Sequence, residues 1–356
     1  MTASYTWVQW NPHKKKYDLI LAACCLAYIT VFMGVGSLVY QGEHAISVMV
    51  LLIRAFSTLA IILLHIILCI GPMARFTTLF APLLYNRRHL GVTMFLAALA
   101  HSALVLLYYG GFGSRLPLHA MVDGYASFGS ISGFPFEILG LGAILILFAM
   151  AATSHDFWLA FLSARTWKVL HMMVYVAYAL VVLHVYFGVL QSEQHAIYGV
   201  LMTSGVGLVT TLHLVAGHYE SKRDAQGLST DVDWVDIGEV DDFKQSCGRV
   251  ICLEDQERVA VFRHGDGLSA LSNVCAHQGG PLGEGQIVDG CVTCPWHGYQ
   301  YLPGDGKSPP PFHEKVPTYE LRVDGERVML NPSPNEPGTA VDPAIISSNG
   351  KQADHG

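Results

Sequence analysis

Six long apolar segments in the first part of the chain constrain its fold more than any other feature of the sequence. The segments run over roughly 18–40, 46–70, 89–109, 134–153, 168–190 and 196–216. Each is close to the ~20 apolar residues with which an α-helix crosses the hydrocarbon core of a bilayer. In lipid a helix satisfies its backbone hydrogen bonds internally, whereas an open sheet edge does not. The sequence therefore predicts an all-α bundle of six membrane-spanning helices within residues 1–218.

The Lys and Arg residues are distributed unevenly over the loops between these segments. With the N-terminus placed in the cytoplasm, Arg115 is the single base of the outer loops. Loops rich in Lys and Arg stay on the cytoplasmic side, so both termini are predicted to be cytoplasmic. The expected location is a bacterial inner (plasma) membrane. The inner loops and flanks carry ten bases, namely Lys14, Lys15, Lys16, Arg75, Arg87, Arg88, Arg165, Lys168, Lys222 and Arg223.

The net charge changes sign between the two parts of the chain. Residues 1–218 carry +4 and residues 219–356 carry −11, which gives the −7 of the whole chain. Charged residues make up 14% of the sequence, whereas a soluble domain typically has about 25%. These values exclude a disordered protein and disfavour a wholly soluble enzyme. The acidic second part also argues against nucleic acid as a partner, because phosphates need a positive surface.

The polar second part has the pattern of a small all-β sandwich. Short β-rich runs are separated by turn dipeptides that adopt positive φ at little cost, such as Asp266-Gly267, Asp289-Gly290 and Asp324-Gly325. We therefore predict a β domain over residues 232–333. It is preceded by a linker over 219–231 and followed by a disordered tail over 334–356.

Two short Cys/His motifs lie inside this predicted β domain. Cys275-Ala276-His277 is followed, after 16 residues, by Cys294-Pro295-Trp296-His297. Two thiolates and two imidazoles at this spacing are typical of a Rieske [2Fe–2S] centre, in which the cysteines bind one iron and the histidines the other. The alternative is a structural zinc site, but zinc fingers place a pair of cysteines before a pair of histidines. The four candidate ligands are Cys275, His277, Cys294 and His297.

The segments Cys275–Pro281 and Cys294–Tyr301 resemble Rieske ferredoxins, and the resemblance extends over nearly the whole domain. Rieske proteins of quinol-oxidising complexes have two further cysteines and a serine beside the cluster. Here those positions correspond to Gly280, Trp296 and Tyr299. The resemblance therefore implies fewer hydrogen bonds to the cluster and a potential at the low end of the Rieske range.

Four histidines lie at paired depths in two of the predicted spans. His89 and His101 are 12 residues apart in the third span, and His171 and His184 are 13 apart in the fifth. These separations are about 18–20 Å along a helix, so the four residues are candidate axial ligands of one or two haem b groups. On an ideal helix the two histidines of each pair would be about 120–140° apart around the axis. A kink or a bend is therefore required to bring them onto one face.

Alternatives remain for the inner haem, because other polar groups lie in the spans. His65 and His213 are rival inner ligands, and any single membrane histidine can instead bond a neighbouring helix. Arg54, within the second span, is a buried cation that needs an anionic partner. We expect either a propionate of the outer haem or Glu137 to fill that role.

The residues around these histidines resemble the ferric reductase-like transmembrane domain. Arg87-Arg88-His89-Leu90-Gly91 with His101 is similar to its third span, and Trp167–His171 with His184 to its fifth. The similarity is strongest to the haem-binding membrane subunit of the bacterial periplasmic methionine sulfoxide reductase system. It implies that His101, His171 and His184 are haem ligands, whereas His89 has no counterpart there. Ferric reductases append a flavin- and nicotinamide-binding domain, where this chain has the Rieske motifs and no glycine-rich dinucleotide loop.

Together these features predict a transmembrane electron-transfer oxidoreductase. A separate cytoplasmic donor, a ferredoxin or an NAD(P)H-dependent reductase, would reduce the cluster, and electrons would reach a periplasmic or lipid-soluble acceptor through haem b. One alternative is a Rieske-type oxygenase component, which needs two histidines and a carboxylate around an iron. His213, His218 and Glu220 are the nearby candidates for it. The other alternative is a redox-sensing membrane protein.

Overall fold

The computed structural model describes a membrane unit and a β-rich unit. The membrane unit consists of Trp10–Phe76 and Asn86–Leu214, and the largest segment of the second unit is Val215–Gly356. The described residues are 12–42, 45–80, 83–84, 86–110, 116, 119, 134–154, 162, 164–188, 190, 196–254, 257–277, 279–296 and 298–346.

Seven α-helices occur in the described part of the chain up to residue 225. They are α1 (Pro12–Val39), α2 (Val48–Phe76), α3 (Arg87–Gly110), α4 (Glu137–Thr153), α5 (Ala164–Met172), α6 (Val174–Phe187) and α7 (Ala196–Ala225). Helices α5 and α6 together form one apolar span, Thr166–Phe187. Among the described residues five spans are long and apolar enough to cross a membrane, and α4 is a shorter apolar helix. The prediction of a bundle of six apolar helical segments is confirmed, and five of the six have the length of a membrane span.

The fifth span is interrupted at Met173, between its two histidines. The amide of Met173 bonds the carbonyl of Leu170, three residues back, at 3.1 Å. This tight turn interrupts the regular helix between α5 and α6. The interruption lies between His171 and His184.

Helix α2 has one buried stripe that faces the other helices of the membrane unit. Leu51, Ala55, Leu59 and Leu63 are all buried and recur every four residues, which places them on one face. In contrast, large apolar side chains of α1 and α7 are well exposed, as expected for surfaces that face lipid.

Over its described residues from 215 onwards, the second unit contains only β-strands, apart from short 3₁₀ turns and the end of α7. Its described strands are β1 (Val235–Glu239), β2 (Gly248–Cys252), β3 (Arg258–His264), β4 (Gly267–Ser272), β5 (Gln286–Val288), β6 (Cys291–Thr293), β7 (Gln300–Tyr301), β8 (Thr318–Tyr319), β9 (Leu321–Asp324), β10 (Arg327–Leu330) and β11 (Ala344–Ile345). They form antiparallel sheets in the orders β1-β10-β9, β11-β4-β3-β2 and β5-β6-β7, and β8 also pairs with β4. The predicted all-β domain is confirmed.

The turn between β5 and β6 is one of the predicted hairpins. Asp289 has a φ of 51° and Gly290 a φ of 78°, as a two-residue turn with two left-handed positions requires. The turn sets the register in which Val288 faces Cys291. The loop after β6, which begins at Cys294, is thereby held close to this sheet.

Two predicted boundaries of the β domain are wrong. Helix α7 continues to Ala225, and Leu228 already pairs with Leu253, so much of the predicted linker is ordered structure. The predicted tail is ordered as far as residue 346, because β11 pairs with β4 and buries Ala344 in the core. The end of α7 beyond residue 218 and strand β11 are each too short to show a helix or strand periodicity in the sequence. Residues 347–356 lie outside the described part.

Candidate redox centres

The two Cys/His loops of the β-rich unit repeat the same backbone arrangement. In one loop the amide of Gly279 donates to the carbonyl of Cys275 at 2.7 Å, and in the other Gly298 donates to Cys294 at 2.8 Å. Both glycines have a positive φ, 71° and 72°, which a residue with a Cβ rarely adopts. Two matching loops therefore present one cysteine each to the same part of the core.

Both cysteines are enclosed, and the backbone approaches one of them closely. Cys275 is 2% exposed and Cys294 is 1% exposed. A Cβ at Gly280 would lie 2.7 Å from the Sγ of Cys294 and 3.1 Å from the ring of Trp296. Only glycine leaves room there, so the first loop can lie directly against the cysteine of the second.

Tyr301 connects the cysteine and histidine of the first loop. Its hydroxyl lies 3.3 Å from the Sγ of Cys275 and accepts the backbone N–H of His277 at 3.2 Å. Burial, and then the neighbouring Cys275, raise the pKa of Tyr301. The hydroxyl therefore keeps its proton and can donate it in a hydrogen bond to a thiolate.

The ring of His277 is packed with its Nδ1 edge inside the protein. Its Nδ1 atom is buried, and its ring stacks on Tyr299 with centres 4.4 Å apart and planes 6° apart. His297, the fourth predicted ligand, lies outside the described residues. Two buried thiols and an inward imidazole nitrogen are a donor set that fits a [2Fe–2S] cluster. The described residues contain no group of three side chains suited to a single metal ion, and a Rieske iron takes only two protein ligands.

In the membrane unit, His101 of α3 and His184 of α6 face each other. Their ring centres are 6.3 Å apart and their planes are at 79°. The Nδ1 atom of His101 lies 3.2 Å from the carbonyl oxygen of Ile53, and that of His184 lies 2.9 Å from the carbonyl oxygen of Phe136. A carbonyl only accepts, so each Nδ1 carries the proton and each Nε2 has a lone pair for a metal.

The separation of these rings fits an iron between them. With metal–nitrogen bonds of about 2 Å and ring radii of about 1 Å, two opposed imidazole ligands have centres about 6 Å apart. Gly140 of α4 allows this placement, because a Cβ there would lie 2.9 Å from both Nδ1 and Cε1 of His184. The pair therefore has the donor atoms and the spacing with which two histidines could hold a haem iron.

The predicted inner ligands, His89 and His171, each contact other groups. His89 Nδ1 lies 2.8 Å from the carboxylate of Asp18. His171 stacks on Trp167 with ring centres 3.7 Å apart, and its Nδ1 lies 3.1 Å from the Trp167 carbonyl oxygen. Its Nε2 is 3.4 Å from the hydroxyl of Ser154. In both residues Nδ1 has an acceptor, so Nε2 is the ligand atom that either could offer.

The rival inner ligands also have partners. His65 places Nε2 3.0 Å from the hydroxyl of Tyr178, while its Nδ1 bonds a carbonyl of its own helix at 2.8 Å. His213 packs its ring edge-on against Tyr175, with centres 5.5 Å apart. The hydroxyl of Tyr178 therefore bonds Nε2 of His65, the nitrogen that would have to bind a haem iron.

Arg54 follows Ile53, whose carbonyl accepts a hydrogen bond from His101. Its Nη1 donates to the hydroxyl of Tyr40 at 3.0 Å. Glu137, the other predicted partner of Arg54, is 6% exposed and accepts the hydroxyl of Tyr109 at 3.1 Å. Each of the two residues thus has a tyrosine partner.

Several contributing groups had no signal in the sequence. The backbone carbonyls of Ile53 and Phe136 orient the facing histidines, and a carbonyl has no residue signature. Glu314 accepts a hydrogen bond from Tyr299 but lies 15 residues beyond it, outside either Cys/His motif. Tyr299 itself stood out only as the residue at a position where other Rieske proteins have serine.

These features define a class of protein: a helical membrane domain in which two partly buried histidines lie close together, followed by a β domain with paired Cys/His loops. Family comparison agrees with both halves. Residues 56–182 match the model of the ferric reductase like transmembrane component, and residues 233–320 match that of the Rieske [2Fe-2S] domain, the family to which this chain belongs. It is an electron-transfer oxidoreductase of a membrane, with a [2Fe–2S] cluster in its Rieske domain.

The relatives match the Rieske part. The anthranilate 1,2-dioxygenase ferredoxin subunit of Burkholderia cepacia is 34% identical over 29% of this chain and 95% of its own length. A cholesterol 7-desaturase of Ciona intestinalis is 46% identical, but over only 18% of this chain and 14% of its own length. Among solved structures, the ferredoxin of carbazole 1,9a-dioxygenase from Nocardioides aromaticivorans is 26% identical over 29% of this chain and 100% of its own, with a TM-score of 0.27.

Proposed function

We propose that this protein passes single electrons between a cytoplasmic Rieske cluster and membrane haem b, and onward to a periplasmic or lipid-soluble acceptor. When bound, the cluster and the haem supply one-electron redox chemistry that protein side chains lack. The proposed orientation, with the N-terminus and the Rieske domain in the cytoplasm of a bacterial inner membrane, rests on the ten inner bases against one outer base.

The Rieske cluster is assigned to Cys275, His277, Cys294 and His297. The cysteines are enclosed, and glycines let the two loops approach each other. Tyr301 supports the site by donating to the thiolate of Cys275 and accepting from the backbone of His277. Hydrogen bonds to a ligating sulfur disperse its negative charge and stabilise the reduced cluster.

The observation that carries the membrane part of the proposal is the pair His101 and His184. Their ring centres are 6.3 Å apart, and each Nδ1 is bonded to a backbone carbonyl. We assign them as the axial ligands of the outer haem. Arg54, one residue beyond the carbonyl that orients His101, supplies a positive charge for a haem propionate. A charged side chain within a membrane needs such a partner of opposite charge.

The inner haem is assigned to His89 and His171. A carboxylate at Nδ1 of His89 is a common support for a metal-ligating histidine, since it fixes the tautomer that leaves Nε2 available. The Ser154 hydroxyl, 3.4 Å from Nε2 of His171, can rotate away. His65 is a weaker candidate, because Tyr178 bonds its Nε2.

The electron donor is proposed to be a separate cytoplasmic protein, a ferredoxin or an NAD(P)H-dependent reductase. The relative that is spanned almost in full is named as a ferredoxin subunit, which supports an electron-carrying role for this domain. The acidic second part of the chain favours a donor with a basic surface.

The oxygenase alternative is disfavoured by the contacts of its candidate carboxylate. Glu220 is paired with Arg258 at 2.8 Å and with Arg223 at 3.5 Å. A carboxylate that is neutralised by two guanidinium groups is a poor iron ligand. The desaturase relative is spanned over 14% of its length, so most of that protein has no counterpart in the match.

Spectroscopy of the purified full-length protein tests the proposal. We expect b-type haem bands in the reduced-minus-oxidised spectrum and a Rieske signal in low-temperature EPR. In rapid mixing with a chemical reductant of the cluster, haem reduction should follow cluster reduction. His101→Ala should lower the haem content by one equivalent, while His213→Ala keeps it unchanged. A protein with a full cluster but no haem, or with haem that stays oxidised beside a reduced cluster, would refute the proposal.

A further inference from the structure

A buried tyrosine packs against His277, the histidine of the first Cys/His loop, and a carboxylate is bonded to that tyrosine. Tyr299 is 3% exposed and its ring lies parallel to that of His277, with centres 4.4 Å apart. The hydroxyl of Tyr299 donates to the carboxylate of Glu314. Histidine, tyrosine and carboxylate therefore form a continuous row that ends at the proposed metal ligand.

The row is held rigidly by its surroundings. Phe312 packs edge-on against the ring of Tyr299, with centres 5.1 Å apart. The carboxylate of Glu314 also accepts the backbone N–H of His313 at 3.1 Å. Neither ring of the stacked pair can rotate without losing these contacts, so the orientation of His277 is set by groups outside its own loop.

The carboxylate carries a negative charge at neutral pH. Burial raises the pKa of Glu314, but the hydrogen bonds from Tyr299 and from backbone amides outweigh burial and lower the pKa overall. Glu314 is partly buried, so water screens its charge less than that of a surface carboxylate. A hydrogen bond to this anion also increases the electron density of the tyrosine that faces His277.

We propose that Glu314, acting through Tyr299, positions the His277 ring and keeps the reduction potential of the Rieske cluster low. The inference rests on the proposed cluster ligation by His277. An electron added to the cluster is disfavoured by a nearby fixed negative charge and by an electron-rich ring against the ligand. Tyr301 acts in the opposite direction, because its hydroxyl donates to the thiolate of Cys275.

A second Tyr–Glu pair in the same unit provides a matched control. Tyr319 donates to Glu257. Tyr319 packs in one group of buried apolar residues, whereas Cys275 and Cys294 lie in the other. Glu257→Gln removes the same charge from the same kind of bond. The only intended difference between Glu257→Gln and Glu314→Gln is the proximity of the carboxylate to His277.

The test is a redox titration of the purified full-length protein, followed through the EPR signal of the reduced cluster. Glu314→Gln keeps an oxygen that can accept the tyrosine hydroxyl, and we expect it to favour reduction at least threefold, an upward shift of about 28 mV. Tyr299→Phe should shift the potential in the same direction and change the g values, because the ring that stacks on His277 loses the hydrogen bond that holds it to Glu314. The double variant should shift no further than Glu314→Gln, and Glu257→Gln should leave the potential unchanged.

The outcomes separate this inference from the assignment of the cluster. Unchanged potentials in Glu314→Gln and Tyr299→Phe, with normal cluster content, would overturn the inference alone. Additive shifts in the double variant, or an equal shift in Glu257→Gln, would also overturn it. If Tyr299→Phe loses the cluster, Glu314→Gln, which keeps both rings of the stacked pair, decides the test through its own potential. A wild-type protein without any Rieske signal would overturn the cluster ligation and this inference together.

Discussion

Gly140 and Gly142 offer a sharp test of the proposed outer haem site, because both are glycines of α4 with different neighbours. A Cβ at Gly140 would lie 2.9 Å from Nδ1 and Cε1 of His184, whereas a Cβ at Gly142 would lie 3.4 Å from Cδ1 of Leu180. Favourable contacts between such atoms are about 3.5–4.0 Å long. The first substitution therefore forces the imidazole to move by about 0.6–1 Å, and the second requires almost no movement.

The expected cost of Gly140→Ala follows from this overlap. Overpacking of a buried site typically costs about 1–3 kcal/mol. At 1.4 kcal/mol per tenfold, this corresponds to roughly 5- to 150-fold weaker haem binding. Both substitutions gain about 1 kcal/mol of helix propensity over glycine, so the difference between them isolates the contact with His184.

The assay measures the rate of haem transfer from each purified variant to a haem-scavenging apoprotein, together with the reduced b-type spectrum. We expect Gly140→Ala to lose haem faster and to show a shifted α band, while Gly142→Ala behaves as the wild type. Equal haem retention and identical spectra in the two variants would refute the assignment of His184 as a ligand.

Three further predictions concern the Rieske domain. Tyr301→Phe removes the hydroxyl that donates to Cys275, and we expect a lower reduction potential in an EPR-monitored titration, because the reduced cluster loses a stabilising hydrogen bond. Arg258→Lys cannot reproduce the bidentate hydrogen bond to Asp224. We expect it to lower the free energy of unfolding of this domain by about 1 kcal/mol, and by less at high salt. Thermal unfolding followed through the absorbance of the iron–sulfur cluster measures this loss. Burial lowers the pKa of His264 below its ordinary 6.5, so folding favours the neutral ring. The contribution of this residue to stability is therefore complete above pH 6.5 and is lost as pH falls towards the lowered pKa. His264→Gln should flatten this part of the melting profile, and an unchanged slope would contradict the reasoning.

The order of the helices and the character of the β domain were predictable, because both depend on short-range patterns. An apolar run of about 20 residues has few stable forms in lipid other than a helix. The dipeptide Asp289-Gly290 likewise specifies the tight two-residue turn between β5 and β6. The domain edges were predicted less well, since β11 is two residues long and is held only by its partner strand.

All four haem ligands remain a prediction, and the reason is geometric. The sequence spaces His89 and His101 along one helix and His171 and His184 along another, but spacing does not say which rings meet. That depends on the interruption at Met173 and on how neighbouring helices pack.

The sequence by itself determined where the chain crosses a membrane and which four side chains are suited to an iron–sulfur cluster. Both follow from local chemistry: the hydrogen-bonding needs of a backbone in lipid, and the fixed spacing of two thiolate–imidazole loops. Only the tertiary structure decided that His101 faces His184, that carbonyls of Ile53 and Phe136 orient them, and that Tyr299 links His277 to Glu314. Those contacts join residues far apart in the chain, and they arise from the packing of elements whose neighbours no local pattern specifies.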